Sequence, residues 1–162
     1  MNTAVHFGAG KIGRGFLGQL YWQSGWTTVF VDVAQPIVEA LNREGHYTIQ
    51  IIGERCQALT VTNVRAIHAD DRQAVAEALA ACDLASTAVG VRFLADLAPL
   101  IAAGIERRAS TSGRPLNIIV CENLLDAASR LRAAANRSEH AGQPATWVSA
   151  RAEVSGSNSP TR

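Results

Sequence analysis

The chain has 162 residues, 48% of them hydrophobic, with 15 Lys and Arg against 14 Asp and Glu for a formal net charge of +1. A chain of this size is one domain of ordinary dimensions or a piece of a longer protein, and so small a net charge gives no general attraction to nucleic acid or to an anionic membrane surface. No apolar run approaches the roughly 18 residues of a membrane span, no signal peptide opens the chain, and Cys56, Cys82 and Cys121, far apart and without a CxxC pair, read as reduced thiols of a cytoplasmic protein.

Ala4–Phe7 reads as a strand and Ile12–Ser24 as a helix with Ile12, Phe16, Leu17 and Leu20 on one apolar face. Thr27–Val31, rich in β-branched residues, is a second strand that stops at Asp32, and Pro36 opens a helix to about Glu44. This βαβ start, with nearly continuous apolar strands, predicts a parallel sheet covered on both faces. His46–Gly53 and Ala58–Ile67 read as the two strands of a β-hairpin joined around Glu54–Gln57. A helix follows over Asp70–Ala81, with Asp70 and Asp71 in its first turn, where the helix dipole favours negative charge. Then come a core strand, Asp83–Val89, ended by Gly90, and a helix from about Val91 to Ala103. Arg107–Pro115 reads as a basic, solvated loop, Leu116–Val120 as a strand and Leu124–Ala135 as a helix. From Ser138 the periodicity is lost, so residues 1–137 form the folded domain and 138–162 an irregular, disordered tail. The fold class is α/β: a Rossmann-type, doubly wound, mainly parallel sheet with Ala4–Phe7 in its middle and the hairpin inserted at its edge.

Five glycines crowd the stretch from Gly8 to Gly18, each a loss of conformational restraint that a close backbone approach would explain. Gly8-Ala9-Gly10-Lys11-Ile12-Gly13 fits G-x-G-x-x-G directly after a strand and at the head of a helix. In that setting the first glycine makes the turn, the second clears space for a pyrophosphate, the third lets helix and strand pack closely, and free N–H groups of the helix N-terminus face the anion. Asp32 follows at about the expected 20 residues, where a carboxylate accepts hydrogen bonds from a ribose and repels a 2′-phosphate. The cofactor expected is NAD.

The segment HFGAGKIGRGFLG resembles the amino-terminal segment of the mannitol-1-phosphate 5-dehydrogenase family, with Lys11 in place of the usual asparagine. The likeness continues through FVDV (Phe30–Val33), HYTIQIIGE (His46–Glu54), STAVG (Ser86–Gly90) and PLNIIVCEN (Pro115–Asn123), in the same order, and covers Met1 to about Ala135. The resemblance implies that Ala4, Val5, His6, Phe7, Gly8, Ala9, Gly10, Lys11, Ile12, Gly13, Arg14 and Gly15 form the stretch that wraps the NAD pyrophosphate. By the same likeness Asp32 takes the adenosine ribose, Thr87, Ala88, Val89 and Gly90 pass beneath the cofactor, and Glu122 and Asn123 lie near its nicotinamide end. It also implies a further, mainly helical domain, absent from this chain, that supplies the sugar-phosphate pocket and a lysine general base. The stretch after about Ala145 does not continue the family pattern into another strand. A truncated or frameshifted product and a fragment of a longer protein stay open, as do a non-catalytic nucleotide-binding module and the NAD-binding half of a related polyol or hexuronate dehydrogenase.

Other polar residues have plainer readings. His6 is a partnered core histidine, His46, His68 and His140 share no metal-binding spacing, and Cys121 is a small buried filler. No residue has the setting of a general base.

Overall fold

The computed structural model describes residues 1–52, 56–137 and 145–149. The chain enters as β1 (Thr3–Phe7), passes through a π-helical turn (Gly13–Leu17) into α1 (Gly18–Gln23), and returns as β2 (Thr27–Asp32). α2 (Gln35–Glu44) leads to the antiparallel pair β3 (His46–Ile51) and β4 (Gln57–Thr62), followed by β5 (Val64–His68), α3 (Arg72–Ala81) and β6 (Leu84–Thr87). A 3₁₀ segment (Val91–Leu97) runs into α4 (Ala98–Thr111), and β7 (Leu116–Val120), α5 (Ala127–Arg137) and β8 (Ala145–Ser149) complete the order.

Six strands form one sheet in the order β5-β2-β1-β6-β7-β8, and every pair in it is parallel. The expected central position of Ala4–Phe7 is met: Val5 stands opposite Val29 on one side and Ala85 on the other. Alternation along the strands divides the core. Val5, Phe7, Val29 and Val31 face Val75 and Leu79 of α3, Ile101 and Ile105 of α4 and Leu131 of α5. Phe30 faces Val38 and Leu41 of α2 on the other side, and Ala4 meets Leu17 and Tyr21. Strand order therefore reverses between β1 and β6, the place where open α/β sheets leave a crevice at their carboxyl ends.

Four expectations are corrected. Ala58–Ile67 is not one strand: Asn63 adopts φ 57°, and the chain breaks there into β4 and β5. Asparagine tolerates this left-handed conformation better than its β-branched neighbours do. β5 joins the main sheet beside β2, while the hairpin β3–β4 forms its own two-stranded sheet, with Val61 and Tyr47 packed against the Phe30 cluster and Trp22 Nε1 donating to Thr62 Oγ1 at 3.0 Å. The first helix buries Gly13, Leu17, Gly18 and Tyr21, and leaves Ile12, Phe16 and Leu20 exposed. A backbone that approaches its strand closely is buried through glycines, which an apolar side-chain pattern does not register. Within the stretch read as irregular, Ala145–Ser149 form β8 against β7; the rest of 138–162 lies outside the described residues.

The fourth correction concerns Arg107–Pro115. α4 continues to Thr111, and Arg108 is only 3% exposed. Its guanidinium donates to the carbonyls of Leu79 (3.2 Å), Ala80 (2.9 Å) and Cys82 (2.7 Å) at the end of α3, and to those of Arg114 (2.7 Å) and Pro115 (3.3 Å) before β7. Carbonyls at a helix C-terminus have no partner within the helix, and a planar guanidinium can serve several at once. Arg108→Met should lower unfolding stability by about 3 kcal/mol, because it strips several carbonyls of their donor. The same change at exposed Arg107 should cost under about 0.5 kcal/mol; urea unfolding of both variants checks the contrast.

Candidate functional site

At the carboxyl end of β1 the chain turns sharply. Gly8 sits at φ +101°, its N–H donates to Val31 O at 2.8 Å, and a Cβ there would lie 2.5 Å from the carbonyl oxygen of Ala88 beyond β6. Ala88 N–H in turn donates to Phe7 O at 2.8 Å, so the two strand ends are laced together at this glycine. A Cβ on Gly13 would collide with Gly8 O and stand 2.9 Å from His6 Nε2, whereas Gly10 is exposed with nothing near it. The first and third glycines are thus demanded by packing within the protein. The second leaves the approach from solvent open.

Asp32, at the end of β2, reaches this turn. Its Oδ2 accepts from Ala9 N–H at 2.6 Å and its Oδ1 from Ala34 N–H at 2.8 Å. A carboxylate has about four acceptor positions, so two amides leave capacity for two hydroxyl donors. Arg14 Nε donates to Ala9 O at 2.7 Å from the following helix. Lys11 and Ile12 are exposed at the head of that helix.

On the opposite side, Glu122 is buried just past β7. It accepts from Val89 N–H (2.8 Å) and the Thr87 hydroxyl (3.3 Å) through Oε1, and from Gly90 N–H (3.0 Å) through Oε2. The sequence places Glu122 beside the cofactor; in the structure its carboxylate is turned onto the Thr87–Gly90 segment, while Asn123 is exposed. Ala4, Val5 and His6 are fully buried within β1 and support the turn from below.

Phe7, Gly8, Gly10, Asp32, Ala88 and Val89 share the lining of one cleft of about 550 Å³, open at the carboxyl ends of β1, β2 and β6. Asp70, Arg72 and Asp96 also line it. Sequence reasoning missed these three. With Ala58–Ile67 read as one hairpin strand, the loop carrying Asp70 and Arg72 had no reason to come near Asp32, the break at Asn63 being the available signal, while Asp96 comes from the 3₁₀ segment after β6, a stretch read as plain helix.

The family model of the mannitol dehydrogenase Rossmann domain matches residues 2–158. The chain belongs to the mannitol dehydrogenase family. Family relatives include the mannitol-1-phosphate 5-dehydrogenases of Geobacillus thermodenitrificans, 47% identical over 130 residues, and Brevibacillus brevis, 46% identical over 129 residues. Each alignment covers 80% of this chain, which spans about a third of those relatives (34% and 33%). Among solved structures, a conserved hypothetical protein from Sinorhizobium meliloti superposes with TM-score 0.58 at 15% identity, over 93% of this chain and 41% of its own. GDP-mannose dehydrogenase from Pseudomonas aeruginosa superposes with TM-score 0.56 at 13% identity, over 88% and 35%. These establish the Rossmann architecture. The dehydrogenases of the family use a nucleotide cofactor.

Beneath the family's glycine turn, His6 Nδ1 lies 2.7 Å from Ser86 Oγ, which is 2.6 Å from the Tyr21 hydroxyl, as expected of a partnered core histidine. Nε2 has no well-formed hydrogen bond. Burial holds the imidazole pKa down at about 4, partly offset by the Gly8 backbone. The unfolded chain, with His6 near 6.5, therefore takes up the proton first as pH falls. Stability should be intact above about pH 6.5 and decline by about 3 kcal/mol as pH falls toward 4. Urea unfolding across that range checks it, with His6→Gln removing this component of the slope.

Proposed function

We propose that the cleft binds NAD and that the chain is the cofactor-binding part of a mannitol-1-phosphate 5-dehydrogenase, which converts mannitol 1-phosphate and NAD to fructose 6-phosphate and NADH. The observation that carries this reading is the Asp32 carboxylate, held by Ala9 N–H at the mouth of the glycine turn with acceptor capacity left over. In this arrangement Asp32 accepts from the adenosine ribose hydroxyls. The pyrophosphate lies over the Gly8–Arg14 stretch, where Gly10 leaves room and Lys11 and Arg14 contribute positive charge. The nicotinamide half extends toward Ala88, Val89 and Gly90, whose backbone Glu122 holds in place. The bound nicotinamide supplies the hydride acceptor; the protein's part is orientation and exclusion of water.

NAD is the nucleotide these charges favour. Three carboxylates, Asp32, Asp70 and Asp96, line the cleft against Arg72 among the described residues, a balance that disfavours an added 2′-phosphate. The three thiols are free, which suits the reducing cytoplasm. Among the described residues no helix is long and apolar enough to cross a membrane.

Asp32→Ala should weaken NAD about tenfold, since hydroxyl acceptors are lost, while leaving NADP nearly unchanged because no phosphate site is created. Titration of both nucleotides against both proteins measures the gap; equal affinities in the parent would count against the assignment. A second expectation concerns catalysis: the chain alone should bind NAD weakly and produce no NADH from mannitol 1-phosphate, because the resemblance assigns the lysine general base and the sugar-phosphate pocket to a further domain, and Glu122 is already engaged by Val89 N–H and Gly90 N–H. Turnover near 10 s⁻¹, an ordinary enzyme rate, would show that the catalytic group lies within this chain.

A further inference from the structure

The hairpin β3–β4 stands outside the main sheet, yet one of its side chains reaches the glycine turn's own helix. In the π-turn, Gly18 N–H donates to Gly13 O, five residues back, where an α-helix would have used Arg14 O. The Arg14 carbonyl is instead taken by the Tyr47 hydroxyl of β3 at 2.7 Å. Tyr47 is half-buried and its ring stands edge-on to Phe30 of β2, with centroids 6.1 Å apart. Burial keeps the phenol protonated, and so a donor, at any physiological pH.

From that carbonyl a continuous series of contacts leads to the cleft. Tyr47 holds the backbone of Arg14; the Arg14 side chain holds Ala9 O at 2.7 Å; Ala9 N–H holds Asp32 Oδ2 at 2.6 Å. Arg14 N–H also closes the turn on Gly10 O at 3.0 Å. A π-turn is a rare, costly deviation, common where a helix must present its groups in a particular way. Here it immediately follows the residues that face the cleft.

We infer that Tyr47 is a positioning residue: by capping the Arg14 carbonyl in the π-turn, the hairpin sets the geometry of the Ala9–Arg14 turn and hence its affinity for a dinucleotide pyrophosphate. This rests on the reading of the cleft as an NAD site. The hairpin is thereby part of the cofactor site without touching the ligand.

Tyr47→Phe removes the hydroxyl and keeps the ring against Phe30. Isothermal titration with NAD and with ADP-ribose, at a temperature where the variant is fully folded by circular dichroism, should show both weakened about five- to tenfold. Thr48→Ala, at the exposed next position of β3, should bind as the parent does. In the free proteins, hydrogen exchange of the Ala9 and Arg14 amides should quicken in Tyr47→Phe. Parent-like affinity in the folded variant, or faster exchange confined to the hairpin, would overturn the proposal and leave Tyr47 a merely structural contact. If the parent bound neither NAD nor ADP-ribose, the reading of the cleft would fall. Faster exchange at Ala9 and Arg14 would then still support the coupling of hairpin to turn, and unchanged exchange would overturn it.

Discussion

The hydrogen bond from Ala9 N–H to the Asp32 carboxylate joins the end of β1 to the end of β2 at the mouth of the cleft, and much of the architecture serves to make it possible. The turn must be tight, which places Gly8 in the left-handed region hard against Ala88. The helix must start directly above the strand, which leaves no room for a side chain on Gly13. Both conditions are steric and are met by glycine alone. Once they are met, a carboxylate on β2 falls within reach of an amide on the turn, and the cleft between the strand ends acquires an oriented acceptor at one side.

Buried polar groups perform a related task elsewhere in the sheet. Arg108 closes the end of α3 onto the entry to β7, Glu122 closes the exit of β7 onto the exit of β6, and the His6–Ser86–Tyr21 cluster closes β1 onto β6 and α1. A buried charge is tolerable only when its hydrogen-bonding capacity is filled. In Arg108 and Glu122 it is filled largely by backbone groups, which ties the side chain to the path of the chain itself. Loops at the cleft are thus held from within the fold.

Family membership and the span of the match together define what kind of object this is. The family model covers residues 2–158, while the mannitol-1-phosphate 5-dehydrogenases of Geobacillus and Brevibacillus are about three times as long as the part that aligns. The part described corresponds to the Rossmann domain of that family, and the proposed reading gives its glycine turn to an anion, Asp32 to a ribose and the Thr87–Gly90 segment to the rest of a dinucleotide.

Much of this was legible in the sequence because it depends on short-range pattern. Gly8, Gly10, Gly13 and Asp32 lie at spacings that a strand, a turn and a helix impose whatever surrounds them; a β-branched run announced β2, and short strand-like segments announced β1, β6 and β7. Less was legible wherever burial came from long-range packing. Apolar periodicity assigned Ile12, Phe16 and Leu20 to the same face as Leu17, but the helix approaches its strand through glycines and the π-turn shifts the register. Arg108 read as solvated because the five carbonyls that hold it are brought together from α3 and the approach to β7. Asp70 and Arg72 reach the cleft because the strand breaks at Asn63 and β5 takes the edge beside β2, and Asp96 reaches it from the 3₁₀ segment that follows β6. By itself, then, the sequence determined the fold class, the glycine turn after β1 and the carboxylate at the end of β2, which local backbone geometry dictates. The tertiary structure decided which polar groups are buried, where Glu122 points and how the hairpin reaches the turn, because those depend on which distant carbonyls and amides the sheet brings into hydrogen-bonding range.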